Sequence, residues 1–349
     1  MDQFPADVPT YDIAILGAGV AGLTAARILS PSLKGVVIES EEQAGGLAWQ
    51  LGCKATDTCL YCGVCHGIRL RRELGDFSFL PFDFISSQWL SQMAKKNGDY
   101  QLFFKNGLSL LTHSILIATG IQPFDARQLP QYGYGTYPHI YTGIEIEKSL
   151  NSEGVKVFDA FQKVAFIQCV GSRNFKEKRG YCSRVCCRYA LRIAEDLIYH
   201  YPRLQIDMYY MDLQLLGGKK ELLAEISEKR VKLIRHLPYR VESSQGKLVL
   251  WFEDEQKVTR AVYDAVILSV GMTPSPGTKQ IAEILRVNSD EAGFIKDYGE
   301  GITSQENIYV CGTASGAKDI ETTIFDGKRV AQKILFAHDR WLCHTAVSD

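Results

Sequence analysis

A glycine-rich turn close to the start of the chain constrains the fold more than any other feature of the sequence. The turn is Gly17-Ala18-Gly19-Val20-Ala21-Gly22, which matches the pattern GxGxxG. It follows an apolar run at 11–16 and opens a segment of small apolar residues at 21–29. In this pattern the first glycine makes a tight turn, the second lets the backbone approach a pyrophosphate, and the third lets the helix pack closely on the strand. The chain therefore begins with the strand, turn and helix of a dinucleotide-binding domain.

An acidic residue and a glycine pair extend this motif. Glu39 follows the apolar run at 36–38, where its carboxylate can accept hydrogen bonds from ribose hydroxyls. Gly45-Gly46 follows Glu39 closely and offers a second place where the backbone can approach phosphates. A glycine turn without a ligand is the alternative, and it would not require the strand, the helix and the acid together.

The remaining pattern predicts two α/β units. A second unit starts with an apolar strand at 164–168 and a helix at 183–199. The chain then returns to the pattern of the first unit, with a short strand and a helix at about 322–338. We therefore expect an α/β fold of two Rossmann-like domains, with the second inserted into the first. The predicted boundaries are 1–142 plus 271–349 for the first domain and 143–270 for the second.

Cysteine usage points to metal chemistry. The N-terminus lacks the basic start and apolar core of an export signal, so we expect a cytoplasmic protein in a reducing compartment. Eight of the ten cysteines fall into two groups, Cys53, Cys59, Cys62, Cys65 and Cys169, Cys182, Cys186, Cys187. Clustered cysteines in such a compartment are typical of metal ligands rather than of disulfides.

The overall composition disfavours other classes of function. The net charge is −1 and no run of Lys or Arg stands out, so neither a nucleic acid nor a membrane surface is an expected partner. No stretch approaches the roughly eighteen consecutive apolar residues of a membrane span. No Ser, His and Asp set and no pair of carboxylates suggests hydrolysis, and we assign no catalytic side chain.

The second cysteine group is placed for an anionic metal cluster. Cys169 follows the strand at 164–168, and the other three cysteines lie at the entry to the helix at 183–199. Doubly wound sheets bind ligands at this edge, and a helix N-terminus favours the negative charge of a four-thiolate cluster. A zinc site and buried thiols are the alternatives.

The first cysteine group allows several interpretations. It follows Gly45-Gly46, so we expect it near the cofactor of the first domain. It can hold a second iron–sulfur cluster, hold zinc, or provide a redox-active pair at Cys62 and Cys65. The run from Cys62 to His66 also matches the attachment pattern of c-type haem. The missing export signal and the two further cysteines argue against haem.

Three short motifs resemble those of two-dinucleotide-binding flavoproteins of the thioredoxin reductase type. They are Glu39 with Gly45-Gly46, the turn Ala118-Thr119-Gly120, and the late segment Cys311-Gly312-Thr313. The resemblance implies that the first domain binds FAD. In that family the late strand usually ends in Gly-Asp, whereas here the next acid after Gly312 is Asp319. The residues assigned to FAD are Gly17, Gly19, Val20, Ala21, Gly22, Glu39, Gly45, Gly46, Leu47, Thr119, Gly120, Gly312, Thr313 and Thr322.

The second unit departs from the thioredoxin reductase pattern. No second GxGxxG follows the strand at 164–168, so the expected NADPH site is missing and four cysteines stand in its place. Their spacing, C-x12-C-x3-C-C within CVGSR and YCSRVCC, resembles the A-type subunit of heterodisulfide reductases. That resemblance extends over essentially the whole chain. It implies a [4Fe–4S] cluster beside an FAD, with Cys169, Cys182, Cys186 and Cys187 as the cluster ligands.

The predicted function is that of an electron-transfer oxidoreductase subunit that is not active alone with NAD(P)H. The resemblance implies a heterodisulfide-reductase-like complex with other subunits, which acts in sulfur or disulfide metabolism. The length resembles the short form from sulfur-oxidising bacteria, and the family fold together with the apolar tail around Trp341 and Leu342 predicts a homodimer. Two alternatives stay open. They are an NAD(P)H-dependent flavin disulfide reductase and a flavoprotein scaffold whose cysteines hold structural zinc.

Overall fold

The computed structural model describes residues 8–51, 81–96, 98–152, 156–214, 231–255 and 257–345. The chain forms two compact units. Within the described ranges the first unit comprises 8–49, 81–122 and 273–345, and the second comprises 50–51 and 123–272. The predicted domain boundaries and the insertion of one domain into the other stay predictions.

The described residues form β-strands and α-helices. The strands are β1 (Thr10–Leu16), β2 (Gly35–Ile38), β3 (Asp83–Ile85), β4 (Leu90–Lys96), β5 (Asp99–Phe104), β6 (Ser109–Ile117), β7 (Ile121–Pro123), β8 (Ile140–Thr142), β9 (Lys163–Val170), β10 (Gln205–Tyr209), β11 (Val231–Ile234), β12 (Arg240–Ser244), β13 (Lys247–Asp254), β14 (Lys257–Tyr263), β15 (Ala265–Val270), β16 (Met272–Pro274) and β17 (Ile308–Val310). The α-helices are α1 (Val20–Leu29), α2 (Gly46–Gln50), α3 (Gly143–Ser152), α4 (Cys186–His200), α5 (Pro276–Leu285) and α6 (Ile320–Thr345).

The first unit is built on a mixed sheet with the strand order β3-β2-β1-β6-β5-β4, and β17 also pairs with β6. Strands β3, β2, β1, β6 and β17 run parallel, whereas β4 and β5 form an antiparallel extension. The core of β1 is buried from Ile13 to Leu16, as expected for a parallel strand covered on both faces. Helices α1 and α6 cover one face with residues such as Leu29 and Val330, and α5 contributes Leu285 to the other.

The carboxyl ends of three neighbouring strands meet at one edge of this sheet. Leu16 of β1 is in register with Ile117 of β6, and Val310 of β17 is in register with the same residue. The segments that follow these strands are the glycine turn, the Ala118-Thr119-Gly120 turn and the late Cys311-Gly312-Thr313 segment. Parallel pairing therefore brings together three motifs that are distant in sequence.

The second unit is built on a parallel sheet with the order β11-β10-β9-β15-β8, accompanied by the antiparallel meander β12-β13-β14. Val164 and Phe166 of β9 pack in one cluster with Leu191 and Ala194 of α4. The intervening residues Ala165 and Ile167 lie in a separate cluster on the opposite face. This alternation is the one expected of a strand buried on both faces.

Most predicted elements are confirmed, with shifted ends. A hairpin at Asn106-Gly107 joins β5 to β6, and Gly107 takes a left-handed φ of 89° there. The helix predicted at 183–199 begins only at Cys186, because Arg184 has a φ of 64°, which a helix cannot contain. The last helix is longer than the predicted 322–338 and spans Ile320–Thr345.

A buried carboxylate ties the start of the second sheet together and makes stability depend on pH. Burial opposes ionisation of Asp264, but hydrogen bonds from Lys247 and from the backbone N–H groups of Gln162 and Lys163 outweigh it and lower the pKa of Asp264 below its usual value. A lowered pKa in the folded state contributes stability above the unfolded pKa, and this contribution is lost as the pH falls through the folded pKa.

We therefore expect Asp264→Asn to lower the free energy of unfolding by about 1–3 kcal/mol at pH 7. The difference from the unchanged protein should shrink as the pH falls below about 4, and it should be lost only below the lowered pKa of Asp264 in the folded protein, where this carboxyl is protonated in both the folded and the unfolded state. Unfolding followed by circular dichroism across this pH range measures it. The matched control is Asp254→Asn, whose side chain is 48% exposed beside His236 and should matter little. A difference that persists undiminished at pH 3 would contradict the assignment.

No helix within the described ranges is long and apolar enough to cross a membrane.

Candidate functional site

The glycine turn has the steric properties that dinucleotide binding demands. Gly17 has a φ of 112°, and a Cβ there would lie 2.5 Å from the carbonyl oxygen of Ala118. A Cβ on Gly22 would lie 2.0 Å from the carbonyl oxygen of Gly17, so only glycine lets α1 pack this closely on the turn. A Cβ on Gly19 would meet no protein atom within 4 Å, so the middle glycine faces open space. This space lies at the start of α1, which no side chain caps.

The glycine pair predicted to approach phosphates lies directly on this turn. The N–H of Gly45 donates to the carbonyl of Ala18 at 2.8 Å, and a Cβ on Gly46 would lie 3.4 Å from the Cα of Gly19. Both glycines of the pair have positive φ angles, 113° and 58°. The Trp49 ring fills the position where a side chain of Gly45 would stand. Two stretches of backbone therefore flank the open space beside Gly19.

The acid at the end of β2 is held by the turn itself. Glu39 is buried, and its Oε2 accepts a hydrogen bond from the Ala18 N–H at 2.7 Å. Its Oε1 accepts from the Ser40 hydroxyl and from the Glu41 N–H, both at 3.0 Å. These bonds fix the carboxylate at the edge of the sheet, beside the glycine turn. Its predicted contact with ribose hydroxyls stays a prediction.

The two later motifs meet at the same edge. Gly120 has a φ of 72°, and a Cβ on it would lie 3.8 Å from the hydroxyl of Thr313. The hydroxyl of Thr119 bonds that of Thr278 at 2.8 Å, which ties the turn after β6 to helix α5. Thr119, Gly120 and Thr313 therefore come together, as their assignment to a single cofactor requires.

The late segment is held by an acid that the sequence did not single out. The N–H of Gly312 donates to Oδ2 of Asp326 at 2.8 Å, and a Cβ on Gly312 would lie 2.4 Å from the Cβ of Ala21. Lys318 donates to the carbonyl of Gly312 at 2.7 Å, and Arg329 donates to Oδ1 of Asp326 at 2.7 Å. The backbone N–H of Gly312 is thus already used inside the protein. Gly312 can therefore serve a ligand only by leaving free the space that a side chain would fill.

Asp326→Leu should destabilise the first unit by about 2–4 kcal/mol, because it leaves a buried N–H without an acceptor and removes the carboxylate that pairs with Lys318 and Arg329. The late segment should also loosen, so the affinity for the FAD predicted from the sequence should fall. Thermal unfolding with and without added FAD measures both effects. Asp339→Leu, at an exposed position of the same helix, should change stability by about 0.5 kcal/mol or less. Equal stability of the two variants would remove Asp326 from this role.

Helix α6 begins with an internal cap. Asp319 is buried, and its Oδ1 accepts from the N–H of Thr322 at 2.8 Å, while its backbone carbonyl accepts from the N–H of Thr323 at 2.9 Å. Only the hydroxyl of Thr322 remains for a predicted cofactor contact. Leu47, another assigned residue, lies in the short helix α2. Both assignments stay predictions.

The four cysteines of the second group lie at the carboxyl edge of the second sheet. Cys169 is in the last part of β9, Cys182 lies in the loop, and Cys186 and Cys187 form the first turn of α4. Cys186 and Cys187 are each only 5% exposed, and none of the four is in a disulfide. No side chain caps the N-terminus of α4. This is the edge where doubly wound sheets bind ligands.

A bulge in β9 changes the direction of the chain at Cys169. Ile167 pairs with Leu268 and Val170 with Val270, so two residues of β9 face one residue of β15. Cys169 has a φ of 60°, and the loop that follows contains further left-handed residues, Arg173, Lys178 and Arg184. Such conformations cost about 1–3 kcal/mol each and cluster at functional sites. The strain in this segment is therefore a property of the cysteine site.

The four thiols share one electrostatic environment. Burial raises the pKa of the Cys169 thiol to about 11, and the neighbouring charges of Cys187 and Cys182 add to this effect. Burial also raises the pKa of Cys186 well above its usual value, again with contributions from the other three cysteines. Burial likewise raises the pKa of Cys187. The donor set has the chemistry of a thiolate cluster, whose metal replaces the protons.

The thiols do not form a ready coordination sphere. Among the described residues, no group of three or more His, Cys, Asp or Glu side chains is arranged to hold a metal ion. Cys186 instead directs its thiol to the carbonyl of Val270 at 3.6 Å, and Cys187 directs its thiol to that of Asp212 at 4.0 Å. An ion pair between Arg173 and Asp212 links the loop after β9 to the loop after β10.

The remaining cysteines divide into two cases. Cys53, Cys59, Cys62 and Cys65, the less certain metal set, lie outside the described residues. Cys311 is fully buried in the core of the first unit, and burial raises its pKa far above the usual value. It is a core thiol.

Comparison with curated proteins identifies similar sequences. The second A-type iron-sulfur subunit of the CoB–CoM heterodisulfide reductase of Methanopyrus kandleri is 34% identical over 238 residues, covering 63% of this chain and 36% of that protein. The A-type subunit of the ferredoxin:CoB-CoM heterodisulfide reductase of Methanosarcina acetivorans is 33% identical over 253 residues, covering 60% and 32%. The matched part therefore spans about a third of the length of these relatives. The predicted resemblance to the A-type subunit of heterodisulfide reductases is confirmed.

Solved structures show the same fold as this chain. Thioredoxin reductase of T. acidophilum superposes with a TM-score of 0.63 at 16% identity, covering 93% of this chain and 97% of that one. Thioredoxin reductase of Lactococcus lactis gives a TM-score of 0.61 at 18% identity, covering 93% and 98%. The Thi4 family model matches residues 5–58, which include the glycine turn. The predicted α/β fold of thioredoxin reductase type is thus confirmed, and the comparisons support an oxidoreductase.

Proposed function

We propose that this protein is an electron-transfer subunit that binds FAD in its first unit and a [4Fe–4S] cluster in its second. The observation that carries the proposal is the group of four thiols at the carboxyl edge of the second sheet. In this fold that edge is where a second dinucleotide would bind. The chain has no second glycine fingerprint there and provides four cysteines instead.

The first unit offers the elements that hold a flavin dinucleotide. The open space at Gly19 and the uncapped start of α1 can accept a pyrophosphate, and Glu39 is positioned for a ribose. Thr119, Gly120, Gly312 and Thr313 supply small and hydroxyl-bearing groups along the same edge. The protein positions the cofactor and excludes side chains from its path, while the flavin supplies the redox chemistry.

The second unit provides ligands and charge for the cluster. Cys169, Cys182, Cys186 and Cys187 would bind the irons as thiolates, which requires the loss of their protons. The start of α4 then offsets the negative charge of the thiolates with its helix dipole. An iron–sulfur cluster exchanges single electrons, and this chemistry suits a subunit that passes electrons to a partner.

The wider setting follows from the relatives. We infer that the chain works with other subunits of a heterodisulfide-reductase-like complex in sulfur or disulfide metabolism, and that it is cytoplasmic and homodimeric. The short form from sulfur-oxidising bacteria, which the chain resembles in length, provides the expected arrangement of such a complex. The predicted division into an FAD domain at 1–142 plus 271–349 and a cluster domain at 143–270 belongs to the same proposal.

The test is anaerobic purification with counts of iron, acid-labile sulfide, zinc and flavin per chain. One FAD with about four irons, and one EPR signal after dithionite, would support the cluster on the second cysteine group. About eight irons would add a cluster on the group at Cys53. Zinc without iron would overturn the electron-transfer function in favour of a scaffold. Rapid bleaching of the flavin by NADPH alone would instead favour a complete disulfide reductase.

A further inference from the structure

A glutamine beside the cysteine site has no hydrogen-bond partner within the part of the chain that the structure describes. Gln168 is 1% exposed, and neither Nε2 nor Oε1 of its carboxamide is bonded. Burying an amide without hydrogen-bond partners is costly in proteins, so such groups are rare. A leucine would fill the same volume without this cost. The carboxamide is therefore suited to a partner that the polypeptide does not supply.

The position of Gln168 in β9 directs its side chain towards helix α4. Val164 and Phe166 pack against α4, and the alternation of side chains along a strand places Gln168 on that same face. It is the last residue of this face before the bulge at Cys169.

The start of α4 lies over the carboxyl end of the neighbouring strand. Both the thiol of Cys186 and the hydroxyl of Tyr189 are bonded to the carbonyl of Val270 in β15, at 3.6 and 2.8 Å. Strand β15 pairs directly with β9. The face that carries Gln168 is thus covered, at this end, by the turn of helix that carries two of the four cysteines.

We propose that Gln168 is a positioning residue whose Nε2–H group donates a hydrogen bond to a sulfur of the cluster held by Cys169, Cys182, Cys186 and Cys187. The proposal rests on the proposed function, because it requires the cluster. Thiolate and sulfide sulfurs are hydrogen-bond acceptors, whereas the protonated thiols of the metal-free site are weak ones. The amide therefore gains its partner only when the metal site is filled.

Such a bond has a measurable consequence for the reduction potential. A reduced cluster carries one more negative charge than an oxidised one, so a donated hydrogen bond stabilises the reduced state more. Removing the donor should lower the midpoint potential. A difference of one hydrogen bond corresponds to about a tenfold change in the ratio of reduced to oxidised cluster at fixed potential, or about 59 mV for a one-electron couple.

The experiment is an EPR-monitored redox titration of the anaerobically purified protein and its variants. Gln168→Leu removes the donor and keeps the volume, and Gln168→Met removes the donor and keeps the length of the side chain without adding a charge. Both variants should retain iron and FAD. Both should also show a more negative midpoint potential, by about 59 mV, which corresponds to about a tenfold change in the ratio of reduced to oxidised cluster at fixed potential. Gln168→Asn, which retains an amide donor, should recover part of the shift. The matched control is Gln101→Leu, a buried glutamine in β5 of the first unit, which should leave the potential unchanged.

The outcomes separate this proposal from the function on which it rests. An unchanged potential in Gln168→Leu and Gln168→Met, with iron present, overturns the role of Gln168 and leaves the cluster in place. An unaltered protein that carries no iron overturns the proposed function itself. Where the leucine variant does not fold, the methionine variant alone decides between a shifted and an unshifted potential.

Discussion

Alanine in place of Gly22 should destabilise the first unit by about 3 kcal/mol or more. Its Cβ would lie 2.0 Å from the carbonyl oxygen of Gly17 and 3.3 Å from the Cβ of Ala118. The first of these contacts is with backbone, so no side-chain rotation relieves it, and either helix α1 or the turn must move. Overpacking of this kind costs about 1–3 kcal/mol and occasionally more, and a contact far below van der Waals distance belongs at the upper end. Circular dichroism and thermal unfolding measure the loss.

The matched variant is Gly19→Ala in the same turn. Gly19 has an extended backbone, with φ −81° and ψ −171°, which alanine adopts without strain, and its Cβ would meet no protein atom within 4 Å. The free energy of unfolding should therefore stay within about 0.5 kcal/mol of that of the unchanged protein. The added methyl group would occupy the space proposed for the pyrophosphate, so FAD affinity should fall at least about tenfold, a loss of about 1.4 kcal/mol.

The pair of variants separates folding from binding. FAD content after purification and the affinity measured from flavin fluorescence report on Gly19→Ala. Full FAD affinity in this variant would show that the phosphates lie elsewhere. Normal stability of Gly22→Ala would show that α1 does not need its close approach to the turn.

Gly17 and Gly22 show why the nucleotide motif could be predicted from the sequence. The requirement at Gly22 is local, because its Cβ would meet the carbonyl oxygen of Gly17 within the same strand, turn and helix, and Gly17 takes a left-handed φ of 112° in that turn. The same local logic applies to the hairpin at Gly107, where the left-handed backbone favours glycine. Where geometry depends only on near neighbours in the chain, residue types predict it.

The features that the sequence did not reveal depend on distant pairing. Asp326 looks like an ordinary helix residue, and its role appears only when α6 returns to meet the N–H of Gly312. The bulge at Cys169 exists because β9 pairs with β15, about a hundred residues later, with unequal spacing. The isolation of the Gln168 carboxamide likewise depends on the helix that covers it. A pattern of residue types carries no signal for these contacts.

The two units place the sites of their different proposed ligands in the same way. In each one, parallel strands end at a common edge, and an α-helix without a side-chain cap begins there. In the first unit glycines keep that edge clear, which suits a dinucleotide. In the second unit thiols fill it, and the left-handed residues around Cys169 and Arg184 direct the chain differently from a glycine turn. The proposed difference in ligand therefore follows from the residues of the loop between strand and helix, and not from the arrangement of the strands and helices.

Loss of one thiol from the second cysteine group should remove the cluster altogether. Cys187→Ala deletes a ligand in the first turn of α4 and should lower iron from about four per chain to about one or less. FAD should remain at its full ratio, because all of its assigned residues belong to the first unit. The deleted thiol is small, so the metal-free variant should lose only about 1 kcal/mol of stability.

The control for this variant is Cys311→Ala. Cys311 is equally buried, but it lies in the core of the first unit among Leu116, Ala21 and Val330, so its removal should cost stability and leave iron unchanged. Iron, sulfide and flavin counts together with the EPR signal after dithionite compare the two. Equal iron in both variants would show that the four-thiol site is not where the metal binds. If Cys187→Ala, but not Cys311→Ala, lost FAD together with iron, the two cofactor sites would depend on each other. This result would contradict the proposal that each unit provides the ligands of its own cofactor.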